Sequence, residues 1–218
     1  KSTSLAVAEL AIGLMFAVAR RIPFADATMK QGQWEKKKLE GIELAGKTLG
    51  VIGMGNIGSA VAQRCAALGM QVIGYDPLVP AEVISRRGAG PVTLENLYAR
   101  ADFITIHIPL TTDSKNMISG QAFAQMKPGV RLIDAARGGV VDETALLGAL
   151  ESGQVAAAAL DVFATEPPGL TALVAHPNVI ATPHIGAQTE EAQTRAGDDI
   201  ASEVLAALGG KALRWKLV

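Results

Sequence analysis

The order of apolar segments along this sequence predicts an α/β fold, a doubly wound parallel sheet flanked by helices. Short apolar runs alternate with segments of helical pattern over most of the 218 residues. A glycine-rich turn lies between the first of these runs and a helical segment. The sequence has no fixed-period repeat and no low-complexity linker, so we predict a single domain over residues 1–218.

Apolar runs and helical patterns define the predicted elements. Strands are predicted at 48–52, 71–75, 103–108, 130–135, 155–160 and 178–181. Helices are predicted at 57–68, 94–99, 121–126, 143–151 and 189–208, with Asp142 as the N-cap of the fourth. Alternation of this kind favours parallel pairing, because each helix returns the chain to the edge of the sheet where the previous strand began.

Composition narrows the possible functions. The 20 basic and 21 acidic residues leave a formal net charge of −1, so no nucleic-acid partner is expected. Cys65 is the single cysteine, which excludes an intrachain disulfide and favours a small core residue over a reactive thiol. The three histidines are scattered, and together with one cysteine they form no cluster of metal ligands. We therefore predict no metal site.

The amino-terminal segment is strongly apolar. A helix is predicted over 2–20, capped within residues 2–4 and ended at Arg20 and Arg21. A secretory signal is the alternative, because residues 17–19 fit a cleavage pattern, but Glu9 interrupts the apolar run. The run is also short for a membrane span. We expect this helix to bury itself against a partner subunit or a second domain, and we expect a cytoplasmic location without membrane contact.

Residues 22–46 form a mixed, largely polar stretch. The basic run at 36–38 is interpreted as a solvated turn before the first strand rather than as a phosphate-binding patch. Trp34 is interpreted as a packing anchor or interface residue rather than as a platform on which a ligand ring stacks.

Gly53, Gly55 and Gly58 follow the first predicted strand in the pattern G-x-G-x-x-G. The first glycine lets the chain turn sharply, the second lets the backbone approach a pyrophosphate, and the third lets the helix pack close to the sheet. A purely structural turn is the alternative for such a motif. The flanking strand and helix favour dinucleotide binding, which is typical of a Rossmann-type fold.

Two further features of this unit indicate the cofactor. The N–H groups near Asn56 and Ile57 lie at the start of the helix, where they can receive the charge of a phosphate. Asp76 ends the next strand, 23 residues after Gly53, and can accept hydrogen bonds from the adenosine ribose. Because its carboxylate would repel a 2′-phosphate, the sequence predicts NAD in preference to NADP.

Arg137 follows the predicted strand 130–135 and precedes two glycines. Open α/β sheets bind their ligands beyond the ends of such strands. A planar guanidinium can hold a substrate carboxylate in two parallel hydrogen bonds. A structural salt bridge at the end of the strand is an equal alternative.

Two acids follow the predicted strand 155–160. Asp161 ends the strand and can accept a hydrogen bond from a nicotinamide carboxamide. Glu166 lies five residues further and can orient a histidine. The alternatives are a turn acid for Asp161 and a solvated loop acid for Glu166.

His184 lies between the last predicted strand and the last helix. Histidine moves protons near neutral pH, and a neighbouring carboxylate can hold its tautomer. His107 ends a strand and is expected in the core or beneath the adenine, whereas His176 is expected in an exposed loop. His184 is therefore the predicted acid/base.

These motifs together resemble those of the D-isomer-specific 2-hydroxyacid dehydrogenases. The matching stretches are STSLAVAEL, GKTLGVIGMGNIGSAVAQR, GYDP, ARGGVVDETAL, ALDVFATEPP and PHIGAQTEEAQ, and the resemblance as a whole extends from near the first residue to about Ala201. The resemblance implies NAD as cofactor and oxidation of a small-molecule 2-hydroxy acid to a 2-oxo acid. Within the family, the motifs favour a member that converts 3-phosphoglycerate to 3-phosphohydroxypyruvate in serine biosynthesis.

The resemblance also implies roles at matching positions. Arg137 is similar to the arginine that binds the substrate carboxylate, and His184 is similar to the acid/base whose partner would be Glu166. The cofactor-binding positions indicated by the glycine turn and by the resemblance are Gly53, Gly55, Asn56, Ile57, Gly58, Asp76, Ile108, Ala135, Ala136, Arg137, Asp161, His184, Gly186 and Ala187.

Two positions depart from the family pattern. Asp134 stands where the family usually has asparagine, and its charge is expected either to weaken carboxylate binding at Arg137 or to pair with that arginine. Asn56 stands where many members have arginine, which is expected to loosen pyrophosphate binding slightly.

The resemblance also predicts the domain organisation and the oligomeric state, and it leaves two alternative functions open. In the family a substrate domain is built from segments on either side of this one, so the chain resembles the cofactor domain alone, and we expect it to bind NAD with little turnover. The family dimerises through this domain, which predicts a homodimer that buries the first helix. The alternatives are a member acting on glyoxylate, hydroxypyruvate or D-lactate, and a non-catalytic, NAD-sensing corepressor of the C-terminal-binding-protein type.

Overall fold

The computed structural model describes residues 3–213 and contains one parallel sheet with helices on both faces. The strands are β1 Thr48–Ile52, β2 Gln71–Tyr75, β3 Gly90–Pro91, β4 Phe103–Ile106, β5 Val130–Asp134, β6 Val155–Leu160 and β7 Val179–Ala181. The helices are α1 Ser4–Arg20, α2 Ile22–Lys30, α3 Asn56–Ala67, α4 Ala81–Arg86, α5 Leu94–Arg100, α6 Gly120–Gln125, α7 Glu143–Glu151 and α8 Glu190–Leu208.

The strand order is β3-β2-β1-β4-β5-β6-β7, and every pairing is parallel. The chain winds outward in one direction from β1 to β3 and then in the other from β4 to β7. This order confirms the predicted doubly wound, Rossmann-type sheet. The winding reverses between β1 and β4, which is where such sheets form a ligand-binding crevice.

Most predicted elements are confirmed. Strands β1, β2 and β6 and helix α7 have the predicted bounds, and the other predicted elements differ by one or two residues at an end. Asp142 caps α7 as predicted, because its Oδ1 accepts a hydrogen bond of 3.0 Å from the N–H of Ala145.

Three short elements were not predicted: α2, α4 and β3. Helix α2 begins directly after Arg21, whose φ of 52° ends α1, and Pro23 lies in its first turn. Strand β3 has two residues at the edge of the sheet and includes Pro91. Strand β3 is too short to show an apolar period, and α2 lies in the stretch 22–46 that was interpreted as mixed and largely polar.

One face of helix α1 packs within its own chain, and its role at an interface with a partner or a second domain stays a prediction. Its buried side chains lie against α3, β5 and β6, whereas Leu5 and Phe16 are exposed. The predicted end at Arg20 and Arg21 is confirmed, but Thr3 makes no side-chain capping bond. Ser2, with which the predicted helix began, lies outside the described residues.

The core has two apolar layers, one on each face of the sheet. Helices α1 and α3 cover side chains such as Leu49 and Val51, and the opposite layer contains Ile104 and Leu132. Cys65 is fully buried in the first layer, as predicted, and desolvation raises the pKa of its thiol to about 12.

Predictions for the segment between α2 and β1 are confirmed only in part. The run Lys36–Lys38 forms a short, exposed 3-10 turn, in agreement with the predicted solvated turn. Trp34 is 78% exposed, so its interpretation as a packing anchor within the chain is wrong, and its interface role stays a prediction. Throughout residues 3–213, each helix is too short or too polar to cross a membrane.

Candidate active site

All predicted site residues lie at or beyond the carboxyl ends of strands, on one edge of the sheet. The positions assigned to the pyrophosphate and the adenosine follow strands β1, β2 and β4. The positions assigned to the nicotinamide and to catalysis follow strands β5, β6 and β7. The parallel topology therefore brings segments far apart in sequence to a single crevice.

The glycine turn after β1 is sterically tight. Gly53 has a φ of +92°, and a Cβ atom there would lie 2.5 Å from the carbonyl oxygen of His107. A Cβ atom at Gly58 would lie 1.9 Å from the carbonyl oxygen of Gly53. These contacts leave no room for a side chain at either position, so both positions require glycine.

The start of α3 is open in front of the turn. Gly55 is the N-cap, and it has no side chain that could bond the first N–H groups. A Cβ atom placed at Gly55 would have no other heavy atom within 4 Å. The first N–H groups of a helix, here those of Asn56 and Ile57, have no acceptor within the helix itself. The turn thus fits a pyrophosphate, because donors and the positive end of the helix dipole face open space.

Asp76 follows β2 and binds the glycine turn. Its Oδ2 accepts a hydrogen bond of 2.8 Å from the N–H of Met54, and its Oδ1 accepts one of 2.9 Å from Leu78. These two bonds fix the carboxylate beside the turn. The remaining lone pairs leave it able to accept from ribose hydroxyls.

His107 and Ile108 follow β4 and face Gly53 across the crevice. His107 is half-buried, its Nε2 lies 2.8 Å from Oγ1 of Thr105, and its buried Nδ1 has no hydrogen-bond partner among the described residues. Desolvation lowers the pKa of His107 to about 3, so the ring is neutral. Ile108 is half-buried and adds an apolar wall to the crevice.

Arg137 extends from a tight turn after β5. Ala135 and Ala136 are buried, whereas Arg137 is exposed and donates from Nη1 to the carbonyl oxygen of Ala136 at 2.6 Å. A Cβ atom at Gly138 would lie 1.7 Å from the carbonyl oxygen of Phe163. The turn therefore sits directly against the loop after β6, and the guanidinium projects from it.

Asp134 does not pair with Arg137, which corrects one of the two expectations for this position. The carboxyl is 1% exposed and accepts a hydrogen bond of 3.0 Å from the N–H of Ala136. Burial raises its pKa to about 7, and the charges of Asp161 and Glu143 act in the same direction. The group is thus only partly ionised near neutral pH rather than a fixed negative charge.

Asp161 organises the loop after β7. Its Oδ1 accepts from Oγ1 of Thr182 at 2.6 Å and from the N–H of Ile185 at 2.9 Å, and its Oδ2 accepts from the N–H of Gly186 at 2.8 Å. A Cβ atom at Gly186 would lie 3.1 Å from Oδ2 of Asp161, so glycine keeps this bond short. Ala187 follows, half-buried, before the start of α8.

Glu166 and His184 form a hydrogen-bonded pair. Nδ1 of His184 lies 2.8 Å from Oε2 of Glu166, whose Oε1 accepts from the N–H of Phe163 at 3.1 Å. The bond to His184 is the main cause that lowers the pKa of Glu166, and the charge of Arg137 adds to it. Arg137, Glu166 and His184 therefore belong to one electrostatic cluster, although Arg137 makes no ion pair within residues 3–213.

The ionisation of Glu166 determines which nitrogen of His184 carries the proton. An ionised carboxylate only accepts hydrogen bonds, so Nδ1 must be the donor. A neutral imidazole in this tautomer has a free lone pair on Nε2. The pair is consequently set to take up a proton at Nε2.

Sequence reasoning missed several residues of this region. Thr182 binds Asp161, and Oε1 of Glu143 accepts from the N–H of Ala164 at 2.6 Å. Glu143 lies inside a matched motif and Thr182 directly precedes one, but the partner of each is distant in sequence. His176 is half-buried rather than exposed, and its Nδ1 accepts from the N–H of Asn178 at 3.2 Å. Within residues 3–213, no cluster of three or more His, Cys, Asp or Glu side chains could hold a metal ion.

Comparisons with known proteins agree with this geometry. The family model described as "D-isomer specific 2-hydroxyacid dehydrogenase, NAD binding domain" matches residues 12–186. D-3-phosphoglycerate dehydrogenase of Homo sapiens is 51% identical over 96% of the chain, and that of Methanocaldococcus jannaschii is 49% identical over 96%. The chain covers 39% and 40% of these two relatives, about two fifths of their length. The crystal structure of a glyoxylate reductase from Paecilomyes thermophila superposes with a TM-score of 0.91 at 34% identity, over 97% of this chain and 65% of that one.

Proposed function

The chain belongs to the D-isomer specific 2-hydroxyacid dehydrogenase family, and from that premise we propose that it is the NAD-binding domain of a D-3-phosphoglycerate dehydrogenase. The proposed reaction is the oxidation of 3-phosphoglycerate to 3-phosphohydroxypyruvate in serine biosynthesis. Identities of about one half to D-3-phosphoglycerate dehydrogenases support this substrate over the glyoxylate and D-lactate alternatives.

The cofactor of the family domain is NAD, and the residues around the crevice fit it. Gly53, Gly55 and Gly58, with the N–H groups of Asn56 and Ile57, would hold the pyrophosphate. Asp76 would bind the adenosine ribose, and Ile108 would contact the adenine side. The nicotinamide side would contact Ala135, Ala136, Arg137, Asp161, His184, Gly186 and Ala187. When bound, NAD supplies the acceptor for the hydride that leaves C2 of the substrate.

His184 would act as the base in the oxidation. Its Nε2 lone pair would take the proton of the substrate C2 hydroxyl, because Nδ1 is occupied by the bond to Glu166. Ionised Glu166 would stabilise the imidazolium that results, which is the role a carboxylate has beside other catalytic histidines. In the reverse direction the same imidazolium would return the proton.

Arg137 would hold the substrate carboxylate. The exposed guanidinium donates to the Ala136 carbonyl from Nη1, and its other N–H groups can bind an anion. The observation that carries the proposal is the cluster of Arg137, Glu166 and His184 on the same sheet edge as the glycine turn. An arginine that grips the carboxylate beside a histidine that accepts a proton suits a 2-hydroxy acid.

Calorimetric titration of the chain tests the proposal. We expect NADH to bind more tightly than NADPH, and 3-phosphoglycerate to bind in the presence of NAD. The Arg137→Ala variant should lose 3-phosphoglycerate binding and weaken NADH binding far less, because most of the proposed NADH contacts lie elsewhere. Arg137→Lys should recover part of the 3-phosphoglycerate binding. Glyoxylate and D-lactate serve as competing ligands in the same titration.

Three outcomes would contradict the proposal. If NADH does not bind the wild-type chain, the glycine turn has only a structural role. If D-lactate or glyoxylate binds in preference to 3-phosphoglycerate, the substrate assignment is wrong and another family activity takes its place. Binding of NADH without any 2-hydroxy acid would favour the NAD-sensing alternative.

We also propose a homodimer formed through this domain. Trp34, Phe24 and Met29 are exposed on and after α2, and such apolar side chains commonly mark an interface. Light scattering coupled to size-exclusion chromatography tests this, and a monomeric mass at micromolar concentration would contradict it. The cytoplasmic location and the absence of nucleic-acid binding stay predictions.

A further inference from the structure

The backbone of Met54 in the glycine turn is held both at its N–H and at its carbonyl oxygen. Its N–H donates to Oδ2 of Asp76 at 2.8 Å. Its carbonyl oxygen accepts from Nη1 of Arg87 and, at 3.1 Å, from Oγ of Ser59. The two peptide groups that meet at the Met54 Cα therefore bind the acid after β2, the arginine after α4 and the first turn of α3.

These two peptide groups have unusual freedom in the absence of those bonds. Met54 stands between Gly53 and Gly55, and glycine permits backbone rotations that other residues forbid. A rotation of the Met54–Gly55 peptide would break its bond to Arg87 and re-aim the N–H groups that follow, and a rotation of the Gly53–Met54 peptide would break the bond to Asp76. The fully buried Met54 side chain, which lies against Gly74, limits these rotations but does not bond the carbonyl.

Arg87 is fixed in place for this contact. It directly follows α4, is half-buried, and precedes Gly88, whose φ of +91° turns the chain against Gln63 of α3. The ion pairs within residues 3–213 do not include Arg87. The charged guanidinium of Arg87 therefore donates a charge-assisted hydrogen bond to the Met54 carbonyl and forms no ion pair with a carboxylate of these residues.

We propose that Arg87 is a positioning residue for the dinucleotide: it holds the Met54 carbonyl, and with it the backbone of the turn, so that Asp76 and the α3 N–H groups are set before NAD binds. The inference rests on the proposed NAD-binding function. Preorganisation of this kind raises affinity because the bound geometry no longer has to be ordered at the moment of binding. Arg87 also brings positive charge to the turn where Asn56 replaces the arginine found in many members of the family.

The test is a titration with NADH and with AMP, which reports on the adenosine half alone. Arg87→Ala should weaken NADH binding about tenfold, the expected loss for a hydrogen bond from a charged donor. AMP binding should fall by a similar factor, because the Met54 N–H that binds Asp76 would no longer be held in place. Arg87→Lys, which keeps the charge and a donor, should recover part of the affinity.

Arg86→Ala is the matched control. Arg86 precedes Arg87, is exposed at the end of α4, and carries the same charge. Its loss should leave both affinities unchanged. If Arg86→Ala weakens NADH as much as Arg87→Ala does, net charge alone explains the effect and the inference is wrong.

The remaining outcomes separate this inference from the proposed function. If wild-type chain binds NADH and Arg87→Ala binds it equally well, Arg87 has no positioning role, whereas the proposed function stands. If wild-type chain binds no NADH, the proposed function itself fails. Arg87→Gln keeps a neutral donor, so a folded Arg87→Gln variant with tenfold weaker binding supports the inference even if Arg87→Ala unfolds.

Discussion

Nδ1 of His184 lies 2.8 Å from Oε2 of Glu166, and this contact joins the loops that follow β6 and β7. Both side chains are partly exposed, at 47% and 37%. The pair is therefore accessible to a substrate while each partner is held by the other. Because the bond lowers the pKa of Glu166, the carboxylate stays ionised through the neutral range.

Removal of the carboxylate should release the His184 ring. In Glu166→Ala, Nδ1 loses its acceptor, and the neutral ring should populate both tautomers rather than mainly the Nδ1–H form. Nitrogen chemical shifts of the imidazole measure the tautomer ratio directly. Glu166→Gln, whose amide oxygen can still accept, should keep most of the Nδ1–H form. An unchanged ratio in Glu166→Ala would show that another group holds the ring.

Lowering the pH should weaken the same pair. A depressed carboxyl pKa contributes stability that is present above the unfolded pKa near 4.5 and is lost as pH falls through the folded value. Because both groups are well exposed, the contribution to global stability is small. The His184 imidazole shifts should therefore change below pH 4.5 before the protein unfolds.

Asp134→Asn should stabilise the protein at alkaline pH. The folded pKa of Asp134 is raised from 3.8 to about 7, so the folded state binds a proton that the unfolded state has already lost. Stability from this group therefore falls as pH rises from about 4 to 7, by up to about 4 kcal/mol as an upper bound. Urea unfolding at pH 5 and pH 8 should show that the gain from Asp134→Asn is larger at pH 8.

The exposed Asp113 offers a control for this change. Asp113→Asn removes the same charge from a loop, so it should alter the free energy of unfolding by less than about 0.5 kcal/mol at either pH. If Asp134→Asn gives the same gain at both pH values, the carboxyl does not titrate in this range.

Gly138→Ala should be strongly destabilising. The added Cβ would lie 1.7 Å from the Phe163 carbonyl oxygen, so the turn that carries Arg137 would have to move away from the loop after β6. We expect a loss of about 2–3 kcal/mol in the free energy of unfolding. Gly148→Ala is the matched control, because that glycine is exposed within α7 with nothing within 4 Å of the new atom. It should stabilise the protein by about 0.5–1 kcal/mol, and equal effects of the two changes would refute the close contact.

Asp76→Asn should reduce the discrimination between NADH and NADPH. The amide keeps an oxygen that can accept from Met54, but it removes the charge that repels a 2′-phosphate. We expect the ratio of the two dissociation constants to change about tenfold in favour of NADPH, equivalent to about 1.4 kcal/mol. Parallel titrations of both dinucleotides measure this ratio. An unchanged ratio would mean that the fold excludes NADPH by shape.

The sequence by itself determined the fold class and most of the sheet. Buried strands such as β1 and β6 are short apolar runs, and α7 has an N-cap in the right place, so local pattern suffices to find them. The glycine turn could also be predicted from the sequence. Gly58 is required by a contact with Gly53, five residues away, and Gly53 by a contact with the end of the neighbouring strand. Local chemistry therefore carried the dinucleotide prediction.

Only the tertiary structure decided how the polar groups pair. The sequence offered Asp134 a partner in Arg137, yet the β5 end buries the acid and turns the guanidinium outward. Asp161 reaches Thr182 and Arg87 reaches Met54 across 21 and 33 positions, distances at which spacing carries no information. Periodicity reports which face of an element is buried. Which charges meet depends on how parallel strands bring their carboxyl ends together, and that is a property of the whole packed sheet.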